Sequence, residues 1–222
     1  MSELIAGEEP GDAASGSQLT VEEACFHSAG LLLAMRHAHS MGIVLRSLAP
    51  ENIMIDGSNG YARLFDLRTA KSLPEGFDVD ARTYTMCGSP EYLAPEQAAA
   101  GGGDGHGFAA DYWAFGILIW EMLHGATPFA AGASTQSRPT DGEEGELFSR
   151  ICAYQHGESG KLPGADSMSP EALEILNGLL NPNPDARYAF GSANELSRSW
   201  WQGFNWAGLK KATLTSPSAG RA

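Results

Sequence analysis

Leu45-Arg46-Ser47-Leu48-Ala49-Pro50-Glu51-Asn52, then Ile53-Met54-Ile55, then Ala62-Arg63-Leu64-Phe65-Asp66-Leu67-Arg68 is the stretch that decides how this chain folds. Asp56-Gly57-Ser58-Asn59-Gly60 separates the two apolar runs and is a dense turn signal, so the runs are expected to pair as a small β-hairpin. Asn52 and Asp66 flank that hairpin and can lie side by side, offering oxygen ligands to a hard divalent cation that bridges nucleotide phosphates. Read alone, an Asn and an Asp at strand ends are turn formers. The segments on either side decide between the two readings.

Upstream, Thr20-Val21-Glu22-Glu23 is a capping box and opens a helix expected to run to about His39 and stop at Gly42, with Leu31, Leu32, Met35 and His39 on one face. Downstream, residues 67–92 have little periodicity and read as an extended segment. Ala98–Gly107 reads as a Gly/Ala insertion. Tyr112–Trp120 is an apolar run closed by Asp111 and Glu121, too short to span a bilayer and apolar on every side, so it belongs to a buried central helix over about Ala109–His124 that ends at Gly125. A second low-complexity loop over Ala130–Gly145 precedes a short helix over Glu146–Ala153. Ser169-Pro170 supplies a capping hydroxyl and a first-turn proline to a further helix carrying Ala172, Ile175, Leu176, Leu179 and Leu180. One more helix is expected over Ser192–Trp200, and the tail from Leu209 reads as polar and loose.

The chain has 222 residues, 43% of them apolar, which is ample for a buried core. Its 14 basic and 27 acidic side chains give a net charge of −13, which repels nucleic acid and anionic lipid; the plainer reading is that it keeps the protein in solution, and the alternative is that it selects a basic protein or peptide segment as partner. The 3 cysteines, Cys25, Cys87 and Cys152, are far apart and suggest neither a disulfide framework nor a zinc site, in keeping with a reduced cytoplasmic or nuclear compartment. Met1–Ser17 is acidic and rich in Gly, Ala and Ser, with no signal-peptide pattern, and reads as a disordered lead-in. His37 and His39 stand too close together to ligate a metal from one helical face.

Pro50-Glu51-Asn52, Asp66, Cys87-Gly88-Ser89-Pro90-Glu91-Tyr92-Leu93-Ala94-Pro95-Glu96 and Asp111-Tyr112-Trp113 follow one another in an order and spacing that resembles the C-terminal lobe of a serine/threonine protein kinase. The run from Arg82 to Tyr92 looks like the group that contains the cyclic-nucleotide-dependent kinases, called AGC. Residues 201–215 (Trp201-Gln202-Gly203-Phe204-Asn205-Trp206 onward) are similar to the corresponding run of cGMP-dependent kinases. The resemblance covers about Leu19–Pro217. It implies an α+β, protein-kinase-like fold, mostly helical, with one small β-hairpin and no N-terminal lobe. The implied division is a lead-in over 1–18, the lobe over 19–207 and a tail remnant over 208–222.

The resemblance also implies roles, position by position. Asn52 and Asp66 fall where the family binds Mg²⁺, Met54 falls beneath the adenine of ATP, and Leu118 falls in the apolar column that supports it. Thr85 falls at the activation-segment phosphorylation site, with Arg46 and Lys71 as the cations that hold the phosphate and Ser89 in the same segment. Glu51, Glu91 and Glu121 fall where related kinases meet the arginines of a basic substrate, and ordinary solvated or capping carboxylates are an equal reading of all three. Glu96 and Arg187 match a structural ion pair, and Asp111 matches the carboxylate that braces the catalytic loop.

The departures concern the chemistry. Ser47 stands where the family carries a catalytic Asp, and a hydroxyl cannot replace a base whose role is typically worth about 10²–10⁴ in rate. Ala49 stands where a lysine neutralises the transferred phosphoryl group. Leu67 and Arg68 follow Asp66 in place of Phe-Gly. Fewer than twenty residues precede the first helix, with neither a glycine-rich loop nor a lysine among them. The expectation is therefore a truncated pseudokinase acting in binding or regulation, its partner a basic segment, a kinase N-terminal lobe or a regulatory domain. The alternative is an active kinase whose N-terminal lobe lies outside this sequence.

Overall fold

A helix that is apolar on all faces has to sit where no face meets water, and Phe108–His124 (α3) does so: Ala110 through Met122 are buried. Gly125 ends it at φ 75°, a left-handed conformation that glycine adopts without a Cβ clash, and donates its amide to Glu121 O at 2.7 Å. The computed structural model describes residues 18–73, 82–99, 105–130, 141–154, 162, 165–190 and 198–218. The lead-in over 1–17, residues 100–104 of the Gly/Ala stretch, residues 131–140 of the second loop and residues 192–197 of the helix expected over 192–200 lie outside them, and the described end of that helix, Ser199–Trp201, is a 3-10 turn.

Two helices flank α3. Val21–Ser40 (α1) opens on the expected capping box, in which Thr20 Oγ1 accepts from Glu23 N at 3.3 Å while Glu23 Oε2 accepts from Thr20 N at 2.9 Å. Its face of Leu31, Leu32 and Met35 is fully buried against α3, each side chain contributing roughly 1.5–3 kcal/mol of burial. Pro170–Leu179 (α5) is capped by Ser169 Oγ, which accepts from Ala172 N at 3.2 Å. It approaches α3 so closely that a Cβ on Gly116 would stand 2.8 Å from Leu180 and 2.9 Å from Leu179. Between α1 and α3 in sequence lies the short helix Pro95–Ala98 (α2), which packs against Asp141–Ala153 (α4). That fourth helix starts five residues before the position the sequence suggested.

The expected hairpin forms from Ile53–Ile55 (β2) and Ala62–Leu64 (β3), antiparallel in the register Ile53↔Leu64, Met54↔Arg63 and Ile55↔Ala62. Its turn is held by Asp56, whose carboxylate accepts from Ser58 N at 2.9 Å and Arg63 Nε at 2.8 Å. The expectation of one hairpin has to be enlarged, because Ile43–Val44 (β1) pairs antiparallel with Lys71–Ser72 (β4). Two-residue strands carry too few side chains for alternation to register. This second ladder ties the start of the loop over 45–52 to the segment that follows the hairpin.

The tail also differs from the loose segment expected. Trp206–Lys210 (α6) buries Leu209, and Tyr61 accepts from Leu214 N at 3.1 Å and donates to Leu214 O at 2.9 Å through its hydroxyl. Ser218 Oγ donates to Glu23 Oε1 at 3.1 Å. These anchors are polar, so a count of apolar residues in the tail does not reveal them. No described helix is long and apolar enough to cross a membrane.

Candidate active site

The loop over 45–52 is fixed from below by Asp111 in the first turn of α3. Its buried carboxylate accepts from Leu45 N and Arg46 N, each at 2.8 Å, and from His39 Nε2 at 2.7 Å. These bonds hold Arg46 at φ 64°, a left-handed conformation that costs a non-glycine residue of order 1–3 kcal/mol. Gly88 of the later segment lies on the same loop. A Cβ there would stand 2.6 Å from Arg46 O, and its φ of 105° suits glycine alone.

Within the loop, Asn52 Nδ2 donates to Ser47 O at 2.9 Å, and a short 3-10 turn over Pro50–Asn52 leads into β2. The Ser47 hydroxyl meets the Thr69 hydroxyl, which also reaches Leu45 O at 3.3 Å. Ala49 is fully buried and presents no polar group. The position suited to a proton acceptor thus holds a neutral hydroxyl already engaged by another hydroxyl.

Asn52 ends the 3-10 turn just before β2 and Asp66 lies two residues past β3, so both stand at the open end of the hairpin, where Phe65 N donates to Asn52 O at 3.2 Å. Asp66 is not free to ligate. Arg68 Nε lies 3.1 and 3.0 Å from its two carboxylate oxygens, a terminal guanidinium nitrogen lies 2.6 Å from Oδ2, and the Arg68 amide donates to Oδ1 at 3.0 Å. These bonds hold the Asp66 carboxyl below the usual range, the Arg68 side chain being the largest influence. Both oxygens are satisfied by nitrogen donors, so this donor set as arranged does not fit a divalent cation. Met54, expected under an adenine, is 55% exposed on the hairpin, whereas Leu118 is buried in α3.

Arg46 and Lys71 come together as expected, but on a different threonine. Arg46 Nη1 lies 3.5 Å and Lys71 Nζ 3.1 Å from Thr83 Oγ1, while Thr85 is exposed two residues on. Thr83 is fully buried and forms a two-way backbone bridge with His106, at 2.8 and 2.9 Å. Burial, and next the Arg46 charge, push the His106 imidazole down from its ordinary value.

Glu51 of the loop, Glu91 and Glu121 form one electrostatically connected group of carboxylates. Ser89 Oγ donates to Glu51, and the Tyr92 hydroxyl donates to Glu121. Burial raises Glu91, and the charge of Glu51 raises it further. Glu121 is pushed up to about 7, first by burial and then by the charges of Glu91 and Glu51. Beneath them Arg187 and Glu96 form the expected two-point pair at 2.8 and 3.0 Å. Arg187 also donates to Ala109 O and Asn181 O, each at 2.8 Å, and lies 5.2 Å from the Trp113 ring centre.

A loop braced by a helix-cap carboxylate, an acid at the mouth of a hairpin and a buried Glu–Arg pair is the framework described by one protein family, whose model, protein kinase domain, matches residues 2–201. The chain belongs to the protein kinase domain family. It is 36% identical over 187 residues to the serine/threonine-protein kinase AtPK1/AtPK6 of Arabidopsis thaliana, covering 83% of this chain and 35% of that protein. It is 32% identical over 195 residues to the cAMP-dependent protein kinase catalytic subunit of Arthrobotrys oligospora, covering 86% and 33%. It is 32% identical over 187 residues to human cGMP-dependent protein kinase 2, covering 83% and 22%. The homologues are serine/threonine kinases of the AGC type, and this kinase domain spans about a third or less of their length.

Sequence reasoning missed two residues of the kinase site. Thr69 pairs with Ser47 and Thr83 collects the two cations; Thr69 belongs to no motif, and Thr83 lies inside the Arg82–Tyr92 run without being singled out there. Their only signal in the sequence is that each is a polar β-branched residue beside extended backbone, which is too common to single them out.

Proposed function

We propose that this kinase domain does not transfer phosphate and acts instead by binding a basic segment of another protein. The observation that carries the reading is Ser47, a hydroxyl bonded to Thr69 at the position of the proton acceptor. General-base catalysis needs a group that is largely unprotonated and basic near neutral pH, and an alcohol is neither. Ala49 adds to the deficit, because the transferred phosphoryl group has no neutralising cation there. Protein kinases use ATP and Mg²⁺. In this chain Met54 and Leu118 are the residues that would receive the adenine, and Asn52 and Asp66 those that would face the metal.

The acidic group of Glu51, Glu91 and Glu121 supports the binding role. It lies beside the loop in a chain of net charge −13, suited to arginine or lysine side chains. A kinase N-terminal lobe or a regulatory domain is the second class of partner, and nucleic acid and membranes are disfavoured by charge. The cytoplasm or nucleus is the compartment. Thr85, with Arg46, Lys71 and Ser89, remains the modification point of the activation segment.

A second reading, ATP-dependent serine/threonine phosphorylation, is favoured by the bracing of the loop by Asp111 and by the retained cations Arg46 and Lys71. Fluorescence anisotropy with a labelled arginine-rich peptide tests the binding role. Saturable binding that weakens with salt and drops in Glu51→Gln/Glu91→Gln is expected. Equal affinity for an uncharged peptide of the same length would sink it.

A further inference from the structure

Asp66 already has a cation, supplied by the chain itself. Arg68 stands two residues on and takes both carboxylate oxygens, through Nε and a terminal nitrogen at 2.6–3.1 Å, while its amide adds a third donor at 3.0 Å. The Asp66 side chain is 21% exposed and that of Arg68 is 89% exposed, so the guanidinium forms the solvent side of the pair. Asn52 spends its amide nitrogen on Ser47 O and retains one neutral carbonyl oxygen.

A divalent ion entering here would have to break a two-point, charge-assisted contact that is intramolecular and therefore always at hand. It would then sit beside the displaced like charge of Arg68, with one carboxylate and one neutral oxygen as its protein ligands. Mg²⁺ tolerates little departure from near-octahedral oxygen geometry and sheds water reluctantly, so such a site is poor for it. We propose that Arg68 acts as a tethered cation that closes the Asp66–Asn52 end of the hairpin to divalent metal ions, and that its removal opens a metal site there. This rests on the reading of a domain released from phosphoryl transfer, in which no metal has to be held.

Paramagnetic broadening of backbone amide signals by Mn²⁺, with the full chain and no nucleotide, tests the proposal directly. In the unmodified protein the amides of Asn52, Asp66 and Leu67 should broaden no sooner than those near other surface carboxylates. In Arg68→Gly they should broaden selectively, at severalfold lower Mn²⁺, as expected when an exposed ion pair that competes for a metal ligand is removed. The selectivity should vanish in Asp66→Asn/Arg68→Gly. Arg68 is exposed, so the substitution leaves the core intact, and Arg68→Ala repeats the test without the added backbone freedom of glycine. Selective broadening in the unmodified protein would overturn the proposal, as would none in either variant. Phosphoryl transfer by the unmodified protein would instead sink the reading of Ser47, whatever Mn²⁺ does.

Discussion

Ser47 and Thr69 meet hydroxyl to hydroxyl, joining the catalytic loop to the segment after the hairpin. Thr69 also reaches Leu45 O, and the arrangement accounts for both hydroxyl protons without any acceptor of substrate protons. A carboxylate at position 47 would turn the pair around, with Thr69 donating to it. Bonds to charged acceptors are worth roughly 1.5–3 kcal/mol against about 1 for neutral ones, so a double-mutant cycle of Ser47→Asp with Thr69→Val, which reads the difference, should give a coupling of about 1 kcal/mol in urea unfolding. A coupling near zero would mean that the two positions do not meet.

Asp111 ties α1, through His39, and the loop over 45–52 to the first turn of α3. Asp111→Ala would strand the amides of Leu45 and Arg46 in a buried place and remove the partner of His39. Each stranded donor costs about 1–3 kcal/mol, and the left-handed Arg46 loses the bond that offsets its strain. Destabilisation of about 3 kcal/mol or more is expected, read by urea unfolding. A change within a few tenths of a kcal/mol of zero would contradict the bracing role.

Glu121 makes stability fall as pH rises. Its folded carboxyl is pushed up to about 7 from an ordinary 4.5, so between those values the native state holds a proton that the unfolded state has released. The contribution is present in full below about 4.5 and lost as pH rises through 7, with a slope of at most about 1.4 kcal/mol per pH unit. Asp56 works in the opposite sense. Its carboxyl is held down to about 2, chiefly by Ser58, so its contribution is present above the ordinary 3.8 and is lost as pH falls toward 2. His27 and His106, both held below their ordinary value by burial, work against this fall, so the contribution is read by difference: across pH 4.5 to 8, Glu121→Gln should shift the slope of melting temperature against pH toward more positive values than in the unmodified protein. An unchanged slope in the variant would assign the effect to other groups.

The tail is a separate structural claim. Tyr61→Phe removes the hydroxyl that serves both the amide and the carbonyl of Leu214, at a cost of about 1 kcal/mol globally. Faster amide hydrogen exchange over 209–218 than over α5 is the expected local result. Identical protection in the variant would show that the tail is held by other contacts.

Much of this fold was legible because long elements carry redundant signals. The capping box at Thr20, the apolar run around Trp113, the Asp56–Gly60 turn and the Ser169-Pro170 start each rest on several residues, and each is in place. The β1–β4 ladder was not legible, since two residues per strand leave nothing to alternate. At the site, Asp111, Glu96 and Arg187 match the resemblance: Asp111 is held by two backbone amides and His39, and Glu96 and Arg187 by each other. The meeting of Arg46 and Lys71 on Thr83 rather than Thr85 depends on which of two nearby hydroxyls the backbone bridge to His106 turns inward. Spacing alone does not encode that choice. The Arg68–Asp66 contact is local in sequence, yet an i, i+2 pair faces together only in a tight bend, so its two-point geometry became clear only in three dimensions.

The most direct measurement of the central claim is single-turnover transfer of labelled γ-phosphate from Mg-ATP to an arginine-rich serine peptide, with the purified chain in excess. Labelling no greater than that of Asp66→Ala is the expected result. Stoichiometric labelling by the unmodified chain, abolished in Asp66→Ala, would contradict the account.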